Sequence, residues 1–212
     1  MTTAHGSADG IVYRLARPED AGAIEALDSS FTTATVFEVS GPGSGGSGHG
    51  GSGSGSDSGF GGFGFGFVLR EVPVDPPVRK VFPPEEHDEQ VFGGGCDSDA
   101  DARTFVALDG DLLCGFAAVG YAPWNRRLTI EDIEVSPGHR GRGIGRALME
   151  CADRFARERG AEHLWLEVSS VNAPAVHAYR RMGFAFCGLD TALYGGTPAA
   201  GETALYMSRP CG

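Results

Sequence analysis

The sequence predicts a mixed α/β sheet with helices packed on it, and three observations carry that expectation. Apolar runs separated by short turns follow one another as a meander, and strand-like and helix-like segments alternate beyond it. Two stretches, 143–159 and 173–182, repeat their apolar residues at helical spacing. Between the meander and the first of these helices, Leu128 to Gly145 reads as a strand that stops at Pro137 and yields to a glycine-spaced basic turn opening a helix.

From the N-terminus, Ile11 to Leu15 reads as a first strand. Arg17-Pro18-Glu19-Asp20 marks a helix start, with proline at a first helical position and acids in the first turn; Ala23, Ile24 and Leu27 give that helix its apolar stripe. Val36 to Val39 and Phe67 to Val74, the latter ending in Val-Asp-Pro-Pro, read as a hairpin whose loop is enlarged by a Gly/Ser tract at 41–66. A passive enlargement is cheap, because closure costs only about 0.6 kcal/mol per doubling of loop length. Gly41, Gly43 and Gly46 match G-x-G-x-x-G, but no strand leads into them and no helix follows, so they are not a dinucleotide fingerprint. The Phe/Gly alternation at Phe60, Phe63, Phe65 and Phe67 reads equally as strand or as coil. The stretch 83–101 holds seven acids and no Lys or Arg, and reads as a solvated loop or an acidic lip beside a cleft.

Thr104 to Leu108 and Leu112 to Tyr121 form a hairpin about an Asp109-Gly110 turn, and Arg127 to Val135 is the next strand. In the helix at 143–159, Ile144, Ala147, Leu148, Cys151, Phe155 and Ala156 share a face. Glu150 with Arg154 and Asp153 with Arg157 stand at i,i+4, and Gly160 closes the helix. His163 to Val168 is an apolar strand. Ala173 to Met182 is a helix capped by Asn172, and Phe184 to Tyr194 and Thr203 to Ser208 are strands around a Gly/Pro loop.

A single domain spanning 1–212, with low-complexity loops at 41–66 and 83–101, accounts for this layout. The formal charge of −11 argues against nucleic acid and against anionic membrane surfaces as partners, and suits a cationic small substrate. Five cysteines, Cys96, Cys114, Cys151, Cys187 and Cys211, form no C-x-x-C pair and have no histidine at metal-ligand spacing, which points to reduced thiols, a cytoplasmic location and no metal. Met1 to Gly10 has neither a basic nor an apolar signal region, and no apolar run reaches the roughly 18 residues of a membrane span.

The turn Arg140, Gly141, Arg142, Gly143, Ile144, Gly145 and Arg146 places backbone N–H groups at a helix start, where the macrodipole is positive and glycines let a phosphate approach the main chain. It is no Walker A loop, since no Gly-Lys-Ser/Thr follows. The pattern R-x-x-G-x-G in Arg140, Gly143 and Gly145 is preceded by IEDIEVSP and followed about thirty residues later by N-x-P-A-x-x-x-Y-x-x-x-G-F in Asn172 to Phe184. This combination resembles the GCN5-related N-acetyltransferase (GNAT) superfamily. With VFEV, LREVPVDPP, HLWLEV, CGLDTALY and ALYMS, the chain is similar to the streptothricin (nourseothricin) N-acetyltransferases within it.

The resemblance implies the acyl-CoA N-acyltransferase fold of α+β type, with a mostly antiparallel central sheet of about six to seven strands flanked by helices. It implies acetyl-CoA as co-substrate, held by the pyrophosphate turn 140–146, with Ile133 to Val135 offering main chain to the pantetheine arm and Asn172 contacting the cofactor. It implies Tyr179 as the acid beside the departing sulfur. It implies an acceptor amine on the β-lysine moiety of streptothricin, and hence antibiotic resistance. Another cationic amine, a protein N-terminus or a polyamine, is the alternative acceptor, and a non-catalytic acetyl-CoA-binding module the alternative role. A homodimer is the expected assembly.

The proton acceptor is open among Glu131, Asp132, Glu134 and Glu167. Strict strand alternation puts Glu131 with Ile133, and Asp132 with Glu134, on opposite faces, and a bulge would break that parity. Glu167 stands twelve residues before Tyr179, a spacing similar to the acid and tyrosine of some protein N-terminal acetyltransferases. His139 and His177 read as ordinary turn and helix residues, and Tyr121, Trp124 and Trp165 as core or cleft wall.

Overall fold

The computed structural model describes residues 5–6, 10–41, 66–81 and 101–212. The Gly/Ser tract at 42–65 with Phe60, Phe63 and Phe65, the acidic stretch 82–100 and Cys96 lie outside the described residues. In chain order the elements are β1 (His5–Gly6), β2 (Ile11–Leu15), α1 (Ala21–Glu25), β3 (Phe31–Ser40), β4 (Val68–Lys80), β5 (Ala102–Asp109), β6 (Leu112–Ala122), β7 (Arg127–Val135), α2 (Ile144–Arg159), β8 (His163–Ser169), α3 (Ala173–Arg181), β9 (Ala185–Asp190) and β10 (Ala204–Pro210). The main sheet runs β1-β2-β5-β6-β7-β8-β10-β9, the expected seven strands with the two-residue β1 added at the edge. Its pairings are antiparallel except for β7 beside β8.

Alternation on the central strands assigns the layers. Ala107 and Ala117 pack with Ile144 and Leu148 of α2, whereas their neighbours Val106 and Phe116 pack with Ile24 and Leu27 at α1. One face of the sheet therefore carries α2, and the other carries the shorter α1. On the α2 face, Leu128, Ile130, Leu164, Leu166 and Met207 continue the core to α3, which contributes Ala173 and Val176.

The hairpin predicted around the Gly/Ser tract exists, but its strands are longer and form a two-stranded arm of their own. β4 does not end at Val-Asp-Pro-Pro. The register jumps from Thr35 opposite Pro73 to Thr33 opposite Val78, so residues 74–77 bulge out and pairing resumes as far as Lys80. Phe37 buries itself against Phe186 and His177, and its N–H reaches Ser170 O at 2.8 Å, fastening the arm to α3 and the end of β8.

Other boundaries move for local reasons. The β5–β6 turn is Gly110-Asp111, one residue later than expected, with Gly110 at φ 61. β9 ends at Asp190 rather than Tyr194, because Asp190 Oδ1 captures the N–H groups of Ala192 and Leu193 at 2.7 and 3.1 Å and turns the chain. On α2, Glu150 meets Arg146 at 3.5 Å and Asp153 meets Arg209 at 2.5 Å, in place of the predicted pairs. Trp124 is 83% exposed, contrary to its reading as core or cleft wall, while Tyr121 is buried. The described cysteines, Cys114, Cys151, Cys187 and Cys211, are free. Among the described residues no helix is long and apolar enough to cross a membrane, and no group of side chains is disposed to hold a metal ion.

Gly115 on β6 lies so close to β7 that a Cβ there would stand 2.8 Å from Glu134 O. Gly115→Ala should push β7 outward and destabilise the protein by about 1–3 kcal/mol, the usual cost of overpacking. Urea unfolding reads this, and an unchanged midpoint would refute the tight β6–β7 contact.

Candidate active site

The site begins with one extra residue. Ala118 pairs with Asp132 and Val119 with Ile130, so Glu131 is the bulged residue of β7. Parallel pairing of β7 with β8 ends at the same level, at Ile130 opposite Leu166. Beyond it the strands part, and residues 131–135 face a gap where a neighbouring strand would otherwise continue.

The bulge sets the faces. Ile130 and Ile133 both join the α2-side core, three positions apart, while Asp132 and Glu134 pair with Ala118 and Phe116 on the α1 side. The expected grouping of Asp132 with Glu134 holds, and Ile133 and Val135 lean towards Ile144 of α2. On β8, Leu164, Leu166 and Val168 are buried, so Trp165 and Glu167 face the opposite way. Trp165 is held between Tyr206, at 5.0 Å between centroids, and Arg127, at 4.7 Å, and so serves as packing that stacks on an internal cation.

Tyr179 on α3 packs its ring against Phe184 at 5.9 Å. Burial pushes its hydroxyl far above the usual tyrosine range, and the carboxylates of Asp132, Glu167 and Glu134 push it further. It therefore keeps its proton at neutral pH. Glu131 is not among the groups acting on Tyr179; its own pKa is raised by burial alone. Burial likewise raises Glu167, opposed by a hydrogen bond from Tyr194 Oη to Glu167 Oε1 and reinforced by Glu202.

Below the gap, Gly141 and Gly143 adopt φ 78 and 81, the left-handed region that favours glycine. Gly143 is the N-cap of α2, which has no side-chain cap and no acid in its first turn. The N–H groups of Ile144, Gly145 and Arg146 thus begin a sixteen-residue helix without the negative partner that usually stabilises such an end. Arg146 adds positive charge, and Gly145 sits against Val135, so the turn and the end of β7 are in contact. Among the described residues this end has the character of an anion site, with a positive dipole end and glycines that allow close approach to the main chain.

The arginines divide. Arg142 reaches Asp109 at 2.9 Å, and His139 is held by Ser136 at 2.8 Å. Arg140, expected among the cofactor contacts, spends its guanidinium on main-chain carbonyls: Val135 O at 2.9 Å, Ser30 O at 2.7 Å and Ser29 O at 3.0 Å. It ties the turn to the segment leading into β3. Asn172 accepts from Ala175 N at 3.2 Å as the α3 cap. His177 bonds Glu71 at 2.9 Å, joining α3 to the arm.

Residues 69–184 match the acetyltransferase (GNAT) family over more than half of the chain. The chain belongs to that family. It is 61% identical over the whole of both chains to the streptothricin acetyltransferase of Streptomyces lavendulae. In structure it is similar to nourseothricin acetyltransferase at a TM-score of 0.77 and 57% identity, covering 95% of this chain and 99% of that one. An acetyltransferase from Bacillus anthracis, solved in complex with acetyl coenzyme A, shares the fold at a TM-score of 0.66 and 21% identity, covering 96% and 99% of the two chains.

Sequence reasoning missed what surrounds Glu167. Tyr194, Glu202, Lys80 and Ser169 converge there: Lys80 pairs with Glu202, which also takes the Ser169 hydroxyl. Lys80 and Glu202 are 122 positions apart and belong to no local motif. Beside them a cleft of about 330 Å³ is lined by Phe37, Glu38, Val39, Ser170, Gly201 and Thr203. If the turn at α2 is the anion site, Gly143→Val should weaken coenzyme A binding about tenfold or more, because a β-branched residue resists φ near +80°. Calorimetric titration reads this, and unchanged affinity would move the anion site elsewhere.

Proposed function

We propose that this enzyme acetylates an amino group on the β-lysine moiety of streptothricin-class antibiotics and thereby confers resistance to them. The full-length likeness to the Streptomyces lavendulae enzyme carries the acceptor class. The acids around the gap suit an ammonium-bearing molecule. Neutralising that ammonium weakens the attraction of such a drug to RNA phosphate. Acetyl-CoA, when bound, supplies the acetyl group as a thioester.

The chain's own residues divide the remaining work. The N–H groups of Gly143, Ile144, Gly145 and Arg146, with Gly141 and Arg142 shaping the turn, hold the pyrophosphate. The β7 main chain from Ile133 to Val135 lines the gap where the pantetheine arm lies. Glu167 takes the proton from the acceptor ammonium: it is buried, its pKa is raised towards the working pH, and it shares the field of Tyr179. Tyr179, protonated at Oη, carries the proton that the leaving side needs. Asp132 and Glu134 hold negative potential towards the entering cation, and Glu131 keeps the bulge. Asn172 caps α3 and so fixes the height of Tyr179.

The chain acts as one domain in the cytoplasm, with small molecules as its partners rather than nucleic acid or membrane, and a homodimer is the expected assembly. Purified protein with acetyl-CoA should release thiol on addition of streptothricin, and mass spectrometry should find one acetyl group on the product. Turnover only with peptides or polyamines would transfer the assignment to those acceptors, and binding without turnover on any amine would leave a cofactor-binding module. Tyr179→Phe should lower kcat by about 10²–10⁴ with little change in KM, the range for loss of a positioned acid. Unchanged kcat would remove Tyr179 from the chemistry.

A further inference from the structure

The segment 191–203 between β9 and β10 crosses the sheet face that carries Glu167, and it is built rather than slack. Successive turns run from Gly195 N to Ala192 O, Thr197 N to Tyr194 O, Ala200 N to Thr197 O and Glu202 N to Ala199 O, between 2.9 and 3.0 Å. Asp190 fixes its start through two N–H groups. Its end is pinned by Glu202, which pairs with Lys80 of β4 and accepts from Ser169 of β8. Tyr194 is the residue of this strap that turns inward, half-buried, with Thr197 Oγ1 donating to its carbonyl at 3.0 Å. Its hydroxyl donates to one oxygen of Glu167.

The geometry points to Tyr194 as a positioning residue for the acetyl-transfer site, holding one oxygen of the Glu167 carboxylate so that the other is presented to the acceptor ammonium. The inference rests on the proposed role of Glu167 as proton acceptor and adds to it the group that sets its orientation and its working pH. A rotating carboxylate would lose part of its time in unproductive directions, whereas one tied at Oε1 to an anchored strap does not.

The charges facing Glu167 give the sign of the effect. Glu202 lies in the strap, neutralised by Lys80 from the arm; Tyr206 stands directly across on β10, and Tyr179 approaches from α3, with Asp132 and Glu134 of β7 around it. Burial and Glu202 favour the protonated carboxyl, and the hydrogen bond from the Tyr194 hydroxyl favours the anion. Removing that hydroxyl raises the Glu167 pKa, so the proton acceptor is lost at a higher pH.

The test is the pH profile of kcat/KM for streptothricin with Tyr194→Phe, Glu167→Gln and the double variant, each checked for an unchanged circular dichroism spectrum. Tyr194→Phe should move the acid limb up by about half to one pH unit, the equivalent of one net hydrogen bond. Glu167→Gln should abolish that limb, and the double variant should match Glu167→Gln alone, since the tyrosine acts only through the carboxylate. If Glu167→Gln loses the limb while Tyr194→Phe leaves it in place, or if the two losses multiply, the positioning role falls and the proton acceptor stands. If Glu167→Gln keeps the wild-type limb, Glu167 is not the proton acceptor and both statements fall together.

Discussion

The structure turns on the extra residue in β7. Without the bulge at Glu131, the parallel pairing of β7 with β8 would continue to the strand ends and the sheet would be closed at its centre. With it, pairing stops at Ile130, the strands separate, and main chain that would have been spent on a neighbour faces a gap. The same insertion keeps Ile133 on the α2 side, where it holds β7 down, and leaves Asp132 and Glu134 on the other side, where carboxylates stay near solvent. A wedge in a sheet is costly unless its walls are supported. Here Ile144 and Leu148 of α2 support one wall, and the α3 core around Val176 and Phe184 supports the other.

The wedge separates two opposite electrostatic environments. At its lower end the uncapped start of α2 and Arg146 present positive potential. At its face, Asp132, Glu134 and Glu167 present negative potential. Surface charge is screened within about 8 Å at physiological salt, so the net charge of the chain can bring a cation near but cannot orient it. The local groups fix the sign of the potential, positive at the glycine turn and negative at the acids. Tyr179 is the polar group kept neutral by burial in a place otherwise dominated by carboxylates.

The parts legible in the sequence are those whose physics is local. Helical spacing from Ile144 to Ala156, Gly160 closing α2 at a left-handed φ of 69, and the Asn172 cap each depend on residues within one or two turns, and each stands where it was read. Boundaries shifted where a side chain competed with the ladder, as Asp190 does at the end of β9, or where a bulge absorbed prolines, as at 74–77 of β4. Arg140 shows the limit of motif reading. Its position in R-x-x-G-x-G suggests a phosphate ligand, yet its acceptors are main-chain carbonyls, one nearby at Val135 and two more than a hundred positions away at Ser29 and Ser30. The convergence of Lys80, Ser169, Tyr194 and Glu202 on the Glu167 face was beyond any single-sequence argument, because the pairings cross the whole chain and none has a characteristic spacing.

These long-range contacts also join the span shared with the family to the segments outside it. The glycine turn, the bulged strand, Glu167 and Tyr179 all fall within the span common to the family. Most of the groups that wall the cleft near the strap, Phe37 and Glu38 on β3 and Gly201 and Thr203 on the strap among them, lie outside it, as do Tyr194 and Glu202. Discrete polar fasteners join the two sets: Arg140 to Ser29 and Ser30, Phe37 N–H to Ser170 O, and Lys80 to Glu202. Such fasteners are directional, and beside them Phe37 carries the arm into the apolar core that holds Val176 of α3, so the arm is tied to that core by packing as well as by polar contacts.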